Sequence, residues 1–354
     1  MTEFALSLDR NHWNPLVGCF IDQGERAGEL RSAGIPIIQF PIRSFASLST
    51  FSAFAMMRSV IRKHKIIVAH AFDAPMNIFA VPAAYFSSCP VVLSSQRAHR
   101  SLSSPHERFL LRLTDRFADG VVVNCDALRR HMAEDEGLPP NKTYLCYNGI
   151  RTDIFFPKSH PRPPALADAT LVIGTLCVLR PEKGLSTLLK AFAAVQHIRT
   201  GMKLAIVGSG PELGSLQSQA SELGIADSVH FEPATKNVTD WLRAMDIFVL
   251  PSLSEALSNS LMEAMLCGCA AVASNTGGNP ELIANGTTGL LFTRGDAAEL
   301  SSCLLSLITN GGRRRDLAAA GMRFIKEQFP MQKSVARMIA IYRELLAQKE
   351  LVVE

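Results

Sequence analysis

Hydrophobic and polar positions along the chain alternate between two periods. Short apolar runs, of a length suited to buried strands, stand at 16–21, 35–40, 66–70, 90–95, 120–124 and 143–147. Between several of them, apolar positions recur at the three-to-four spacing of an amphipathic helix, at 26–33, 48–61, 106–117 and 126–136. Gly34 is suited to close the first of these helices and Asp126 to cap the last. Residues 4–8 read as the end of one more helix. The alternation resumes further on, with strands at 170–176, 204–207, 229–231, 247–250 and 270–273. Helices are expected at 185–197, 212–223, 297–307, 313–327 and 333–349, with a further helical pattern behind the polar loop after Leu250. Segment 155–168 separates the halves and holds Pro157, Pro161, Pro163 and Pro164. Proline breaks helices and cannot donate to a sheet ladder, so this segment reads as a linker. Strand–helix alternation on both sides predicts an α/β chain of two doubly wound parallel-sheet domains, 1–154 and 169–329, with a ligand cleft between them.

Composition narrows the class. A chain of 354 residues is long enough for two cores, and 47% apolar with 19% charged residues is ordinary for a globular protein. No apolar run approaches the roughly 20 residues that span a bilayer, and the N-terminus has no signal pattern. A net charge of +4 is too mild to argue for nucleic acid, and no nucleic-acid motif is present. The eight cysteines are scattered, and Cys267 and Cys269 lack the second pair of a zinc site, so free thiols in a reducing cytoplasm are expected. Arg108, Arg112 and Arg116 recur on one helix face beside Phe109, Leu110, Leu111 and Leu113. Such a face suits peripheral contact with an anionic membrane. Glu107 and Asp115 dilute it, and the alternative is a solvated basic face over a buried apolar one.

The candidate chemistry concentrates at 249–292. Glu255 and Glu263 have seven residues between them. On one helix that spacing corresponds to about 12 Å, longer than the roughly 5–9.5 Å between the paired carboxylates of a glycosidase. It suits the two ends of one extended ligand. The competing reading of Glu263 is a capping box with Ser260. Arg180-Pro181-Glu182-Lys183-Gly184 lies at a strand-to-helix loop, where two cations and a helix N-terminus attract a diphosphate. Its alternative is a surface salt-bridge loop around Glu182. Gly208-Ser209-Gly210-Pro211 reads equally as a tight turn or as the border of a nucleotide site. In the first half, His70 ends a strand, and Gln96-Arg97-Ala98-His99-Arg100 follows the next.

Ser254-Glu255, Glu263-Ala264-Met265, Gly268, Gly277-Gly278, Pro280-Glu281-Leu282 and Thr288-Gly289-Leu290-Leu291, taken in this order, resemble a known pattern. It is that of the donor-binding half of family 4 of the retaining, nucleotide-sugar-dependent glycosyltransferases. Arg180 to Gly184, the Gly208 turn, Asn124 and Asn148-Gly149-Ile150 resemble further landmarks of that family in register. The resemblance implies the GT-B fold, two Rossmann-like domains with a last helix, 330–354, packing back on the first. It also implies transfer of a hexosyl unit from a nucleoside-diphosphate sugar to a hydroxyl of a sugar, lipid-linked or polysaccharide acceptor. That activity would serve cell-surface polysaccharide or glycolipid synthesis, in the cytoplasm or at the inner face of the membrane. Arg180 and Lys183 would stabilise the departing diphosphate in place of a metal ion, and Glu255 would orient the sugar. No Asp-x-Asp motif stands where a metal would be held, and no cofactor is implied. Glu263 would hold the ribose, with Gly208, Gly210, Leu257, Ser258 and Asn259 completing the donor site. His70, Gln96, Arg97 and His99 would lie on the acceptor side.

The chain departs from the family at Ala256-Leu257, at Cys269-Ala270, at Pro233 in place of a glycine, and at Gln96 where many relatives carry a histidine. Resembling chains also begin earlier, with a strand and a Gly-Gly loop. A catalytically impaired, nucleotide-binding scaffold acting as a partner subunit is therefore the alternative function. A sugar-nucleotide epimerase of similar architecture is less favoured, because the Arg180–Lys183 and Glu255–Glu263 pairings belong to the transferases.

Overall fold

A parallel strand covered on both faces must be apolar at nearly every position, and Ile247–Leu250, buried along its whole length, is such a strand. The computed structural model describes residues 1–42, 47, 49–159 and 161–350. The chain forms two compact units, the first chain segment running to Gly149. Ile150–Pro330 is one unit, and Met1–Gly149 with the C-terminal helix Met331–Gln348 is the other.

In the first unit, β1 (Val17–Cys19) and β2 (Ile37–Gln39) make a two-stranded parallel sheet. β3 (Val68–Ala71), β4 (Val91–Gln96), β5 (Gly120–Val123) and β6 (Thr143–Leu145) make a four-stranded parallel sheet in that order. Tyr342, Leu345 and Leu346 of the C-terminal helix pack with Val91, Leu93 and Val122 on one face of that sheet. On the other face, Phe79, Val81 and Ala84 of the helix Ala74–Phe86 enter a separate core with Phe40 and Ile61.

The second unit holds β7 (Leu171–Leu176), β8 (Met202–Val207), β9 (Val229–Glu232), β10 (Ile247–Leu250), β11 (Ala270–Ser274) and β12 (Leu290–Phe292). They form one parallel sheet in the order β12-β11-β10-β7-β8-β9. Ile173, Ile206 and Val249 meet Leu188, Phe192 and Leu304 from the covering helices in its core. The order reverses between β7 and β10, and ligands of open α/β sheets bind beyond the carboxyl ends of the strands at such a reversal.

Several local expectations change. The helix Ala74–Phe86 was invisible to periodicity, because it is apolar almost all round and buried along much of its length; Asp73 caps it by accepting from the Met76 N–H at 2.9 Å. Val238–Ala244 is a second helix that no pattern announced. The cap of Asp126–Glu134 is Cys125, not Asp126, which instead pairs with Arg129 one turn on. The expected helix at 48–61 is Ser49–Lys63, and Leu48 lies outside the described residues.

Candidate active site

Two loops meet at the reversal point of the second unit. The first leaves β7, makes one tight turn at Pro181–Lys183 and enters the helix Leu185–Val195 through Gly184. Gly184 has φ +63°, and a Cβ there would sit 2.3 Å from the Pro251 carbonyl oxygen. Only glycine allows both that conformation and that approach. The second loop leaves β10, and its Leu253 N–H donates to the Glu182 carbonyl at 2.8 Å, stitching the loops together.

Glu255 sits on this second loop and not on the helix that follows, so the helical spacing of about 12 Å to Glu263 does not apply. Its Oε2 accepts from Lys183 Nζ at 2.8 Å and from Ser252 Oγ at 3.0 Å. Both partners of the ion pair are largely shielded, with side chains 21% and 12% exposed, so water screens it weakly. Ser252 is held in turn, its carbonyl accepting from Ser274 Oγ at 2.6 Å at the end of β11. Gly277 (φ +55°) then lets the next loop close on the Glu255 backbone, where a Cβ would come within 1.9 Å of the Glu255 carbonyl oxygen. A cation and a carboxylate are thus held between three strand ends. Arg180, on the first of these loops, is 61% exposed and 4.0 Å from Glu182, a loose surface pair.

Ser258, not Ser260, caps the helix Asn259–Leu266, accepting from the Leu261 N–H at 3.3 Å. Glu263 falls in the second helical turn, so the Ser260–Glu263 capping box does not form. Leu257 is buried and Asn259 exposed. The Gly208 turn has a packing reason of its own. A Cβ at Gly208 would lie 1.9 Å from the Cys177 carbonyl oxygen, and one at Gly210 2.3 Å from that of Leu179. This turn therefore presses directly on the segment leaving β7. Cys177 in that segment stays a neutral thiol, because burial pushes its pKa up to about 11 against the pull of Lys183.

The four residues of the expected acceptor side lie in the first unit. His70 at the end of β3 has Nδ1 2.8 Å from the Tyr342 hydroxyl and Nε2 2.8 Å from Ser95 Oγ, and its ring stacks on Phe72. Burial, then the charge of Arg97 and the chain N-terminus, lower its pKa to about 3, so the ring is neutral. These contacts make it a tie between β3, β4 and the C-terminal helix. Gln96 is buried, donating to the Ala98 carbonyl at 2.6 Å and accepting from Arg100 Nε at 3.1 Å. Arg97 donates to Asn148 Oδ1 at 2.7 Å. His99 caps the short turn Arg100–Leu102 and stacks on His131, with ring centroids 3.5 Å apart. His99, His131 and Asp135 bring potential metal ligands within 4.8 Å of one another. Both ring nitrogens of His131 are engaged, one with Asp135 at 2.5 Å and one by the Arg100 N–H at 3.4 Å.

Sequence reading missed the residue that organises this region, Glu136. Its fully buried carboxylate takes Arg108, Arg112 at 2.7 Å and Arg100 at 3.5 Å. Burial alone would raise the Glu136 pKa, but the bonds from Arg112 and Arg108 outweigh it and hold the group below the usual carboxylate range. Arg100, itself 1% exposed, also binds Asp115 in a fork at 2.7 and 3.0 Å. Two of the three arginines expected to form a free basic stripe are therefore engaged by Glu136. Only the Glu134-Asp135-Glu136 run hinted at this. Among the described residues, no helix is long and apolar enough to cross a membrane.

This geometry can be set beside known proteins. Residues 1–154 match the model described as Glycosyltransferase Family 4, and residues 158–324 that described as Glycosyl transferases group 1. A GDP-mannose-dependent alpha-(1-6)-phosphatidylinositol monomannoside mannosyltransferase of Mycobacterium tuberculosis is 28% identical over 88% of this chain and 84% of its own. A D-inositol 3-phosphate glycosyltransferase of Thermobispora bispora is 30% identical over 65% of this chain and 56% of its own. HepE of Anabaena, solved in complex with UDP, has a TM-score of 0.81 at 22% identity, over 98% of this chain and 94% of that one. The two family models lie end to end along nearly the whole chain, and the chain belongs to the family 4 glycosyltransferases, with their GT-B fold.

Proposed function

We propose that this protein transfers a hexosyl unit, with retention of configuration and without a metal ion, from a nucleoside-diphosphate sugar to a hydroxyl acceptor. The carrying observation is the shielded Lys183–Glu255 pair at the reversal point of the second sheet. With donor bound, the diphosphate draws the Lys183 ammonium away from Glu255, and the exposed Arg180 folds over the same oxygens. These are charges that stabilise a leaving group as its negative charge develops. Glu255, still held by Ser252, then accepts hydrogen bonds from sugar hydroxyls, and Glu263 accepts from the ribose. HepE, solved with UDP, and the mycobacterial enzyme named for GDP-mannose support a nucleotide donor. The inositol-lipid acceptor in the latter's name supports an acceptor at a membrane surface, in glycolipid or polysaccharide synthesis.

Titration calorimetry with UDP, GDP and ADP tests the donor site. Binding of one nucleotide is expected, lost in Glu263→Ala and weakened in Lys183→Ala. No binding of any of the three would overturn the reading. One observation favours the scaffold alternative, namely that the first unit's strands fall into two separate sheets. Nucleotide binding without hydrolysis or transfer, across a panel of sugar donors and acceptors, would support that alternative.

A further inference from the structure

The arginines that follow β4 in the chain differ in their partners. Arg100, Arg108 and Arg112 each lie against the carboxylate of Asp115 or Glu136. Arg97, the residue after β4, is exposed, and among the described residues its side chain makes one hydrogen bond, to the neutral Asn148 Oδ1 at 2.7 Å. It forms no ion pair among them. Loss of surrounding water lowers its pKa, and the group that acts against this is the Cys146 thiol, not a carboxylate. The neighbours on this side of the sheet are also without negative charge. His70 lies opposite Leu93, and side chains alternate along a strand, so His70, Ser95 and Arg97 share one face. The charge of Arg97 acts on His70 and on Cys146, the residue after β6. Both are neutral, because burial lowers the His70 pKa to about 3 and pushes the Cys146 thiol up. The C-terminal helix that covers this face adds a second cation, Arg337, which donates to the Leu145 carbonyl at 3.1 Å and acts on the same thiol.

We propose that Arg97 is an anion subsite for the acceptor: the molecule that this protein glycosylates bears a phosphate or a carboxylate, and the Arg97 guanidinium clamps that group. The inference rests on the transferase reading above and deepens its acceptor side. Arg97 stands at the carboxyl end of a parallel sheet, where open α/β sheets bind their ligands. A cation partly stripped of water and given no counter-charge by its own fold is stabilised by an anion from outside. Asn148 holds one guanidinium nitrogen and so restrains the plane of the group, while its other N–H groups have no partner among the described residues. A planar fork of donors matches two oxygens of one carboxylate or phosphate, and such paired bonds are stronger than those to a neutral hydroxyl. A neutral acceptor would leave the charge of Arg97 uncompensated. An anionic one meets no carboxylate among the groups that act on Arg97, His70 or Cys146.

The test follows the Arg97 side-chain Nε–H signal by NMR, identified by its loss in Arg97→Gln, as three probes are added. They are glucose 6-phosphate, glucuronate and neutral glucose. A saturable shift is expected with one or both anionic sugars, at an affinity about tenfold or more above that for glucose, the scale of one hydrogen bond to a charged group. The tighter of the two anionic sugars tells phosphate from carboxylate. Arg97→Gln is expected to bind all three probes equally weakly, and Arg97→Lys, which keeps the charge without the fork, to recover part of the preference. No saturable shift at Arg97, or an affinity for glucose equal to that for both anionic sugars, would overturn the proposal. A second titration separates acceptor from donor. The nucleotide that this protein binds is expected to leave the anionic-sugar shift in place and to bind Arg97→Gln as it binds the parent chain, which also shows that the variant is folded. Loss of the shift on adding nucleotide, or weaker nucleotide binding in Arg97→Gln with an unchanged far-UV spectrum, would assign Arg97 to the donor and overturn the proposal. Failure of every nucleotide to bind would instead overturn the transferase reading, while the Arg97 signal would still report on its anion.

Discussion

At the residue scale, charge placement decides the outcome. Lys183 and Glu255 are each other's partners while no donor is present, so removing either leaves a half-buried charge as well as a gap in the site. Lys183→Ala is expected to lower kcat/KM by roughly 10²–10³-fold, the scale of losing one preorganised group that stabilises developing charge. Steady-state transfer assays, read beside an unchanged far-UV spectrum, check this. His70 makes a different kind of prediction. Its folded pKa, lowered to about 3, lies far below the ordinary 6.5 of an unfolded chain. Between those values the unfolded state binds a proton that the native state refuses, so stability is complete above about pH 6.5 and falls as pH drops. The slope is about 1.4 kcal/mol per pH unit across that window. Urea unfolding at stepped pH should display this slope, and His70→Asn should flatten it. Glu136 was legible only as one acid in a run of three. Its pairing with Arg100 and Arg112 needed Pro105–Thr114 and the end of Asp126–Glu134 brought side by side. Glu136→Ala leaves the Arg100 guanidinium buried with one anion fewer, at an expected cost of about 3–5 kcal/mol, measured as a fall in the urea midpoint.

At the element scale, loops are held by glycines whose missing side chains make room for a neighbouring backbone. Gly184 combines φ +63° with a contact that a Cβ would violate. Gly184→Ala is therefore expected to lose about 1–3 kcal/mol through backbone strain, and to weaken nucleotide binding by moving Lys183. Calorimetric melting and nucleotide titration on the same sample separate the two effects. Most strands and helices were legible from periodicity to within a few residues, because burial on two faces or on one stripe imposes it. The helix Ala74–Phe86 was not, since a helix buried nearly all round has no polar stripe to read. The cap at Ser258 escaped for a related reason. Ser258 and Ser260 are both good caps on paper, and only the backbone turn after β10 selects between them.

At the scale of the whole molecule, the proposed donor residues all belong to Ile150–Pro330, while Met1–Gly149 carries the proposed acceptor side. A nucleotide should then stabilise the second unit selectively. At a concentration one hundred times its Kd, it is expected to add about 2.7 kcal/mol there. Hydrogen exchange should slow at the loops after β7 and β10 and stay unchanged in β4 and β5. Equal protection of both units would contradict the assignment of the donor site to one of them.

By itself, the sequence determined that the chain is a succession of buried parallel strands and covering helices, broken by a proline-rich segment. It also carried, in order, the motifs that resemble those of the family. These are local properties: a period, a proline cluster and a short motif can each be read within a few residues. Which strand lies beside which was decided only by the tertiary structure. β10 returns to the far side of β7, and that reversal alone brings Glu255 to Lys183, 72 positions away in the chain. The same holds for the charges gathered on Glu136. Contacts between distant segments depend on topology and packing, which no short window of sequence contains.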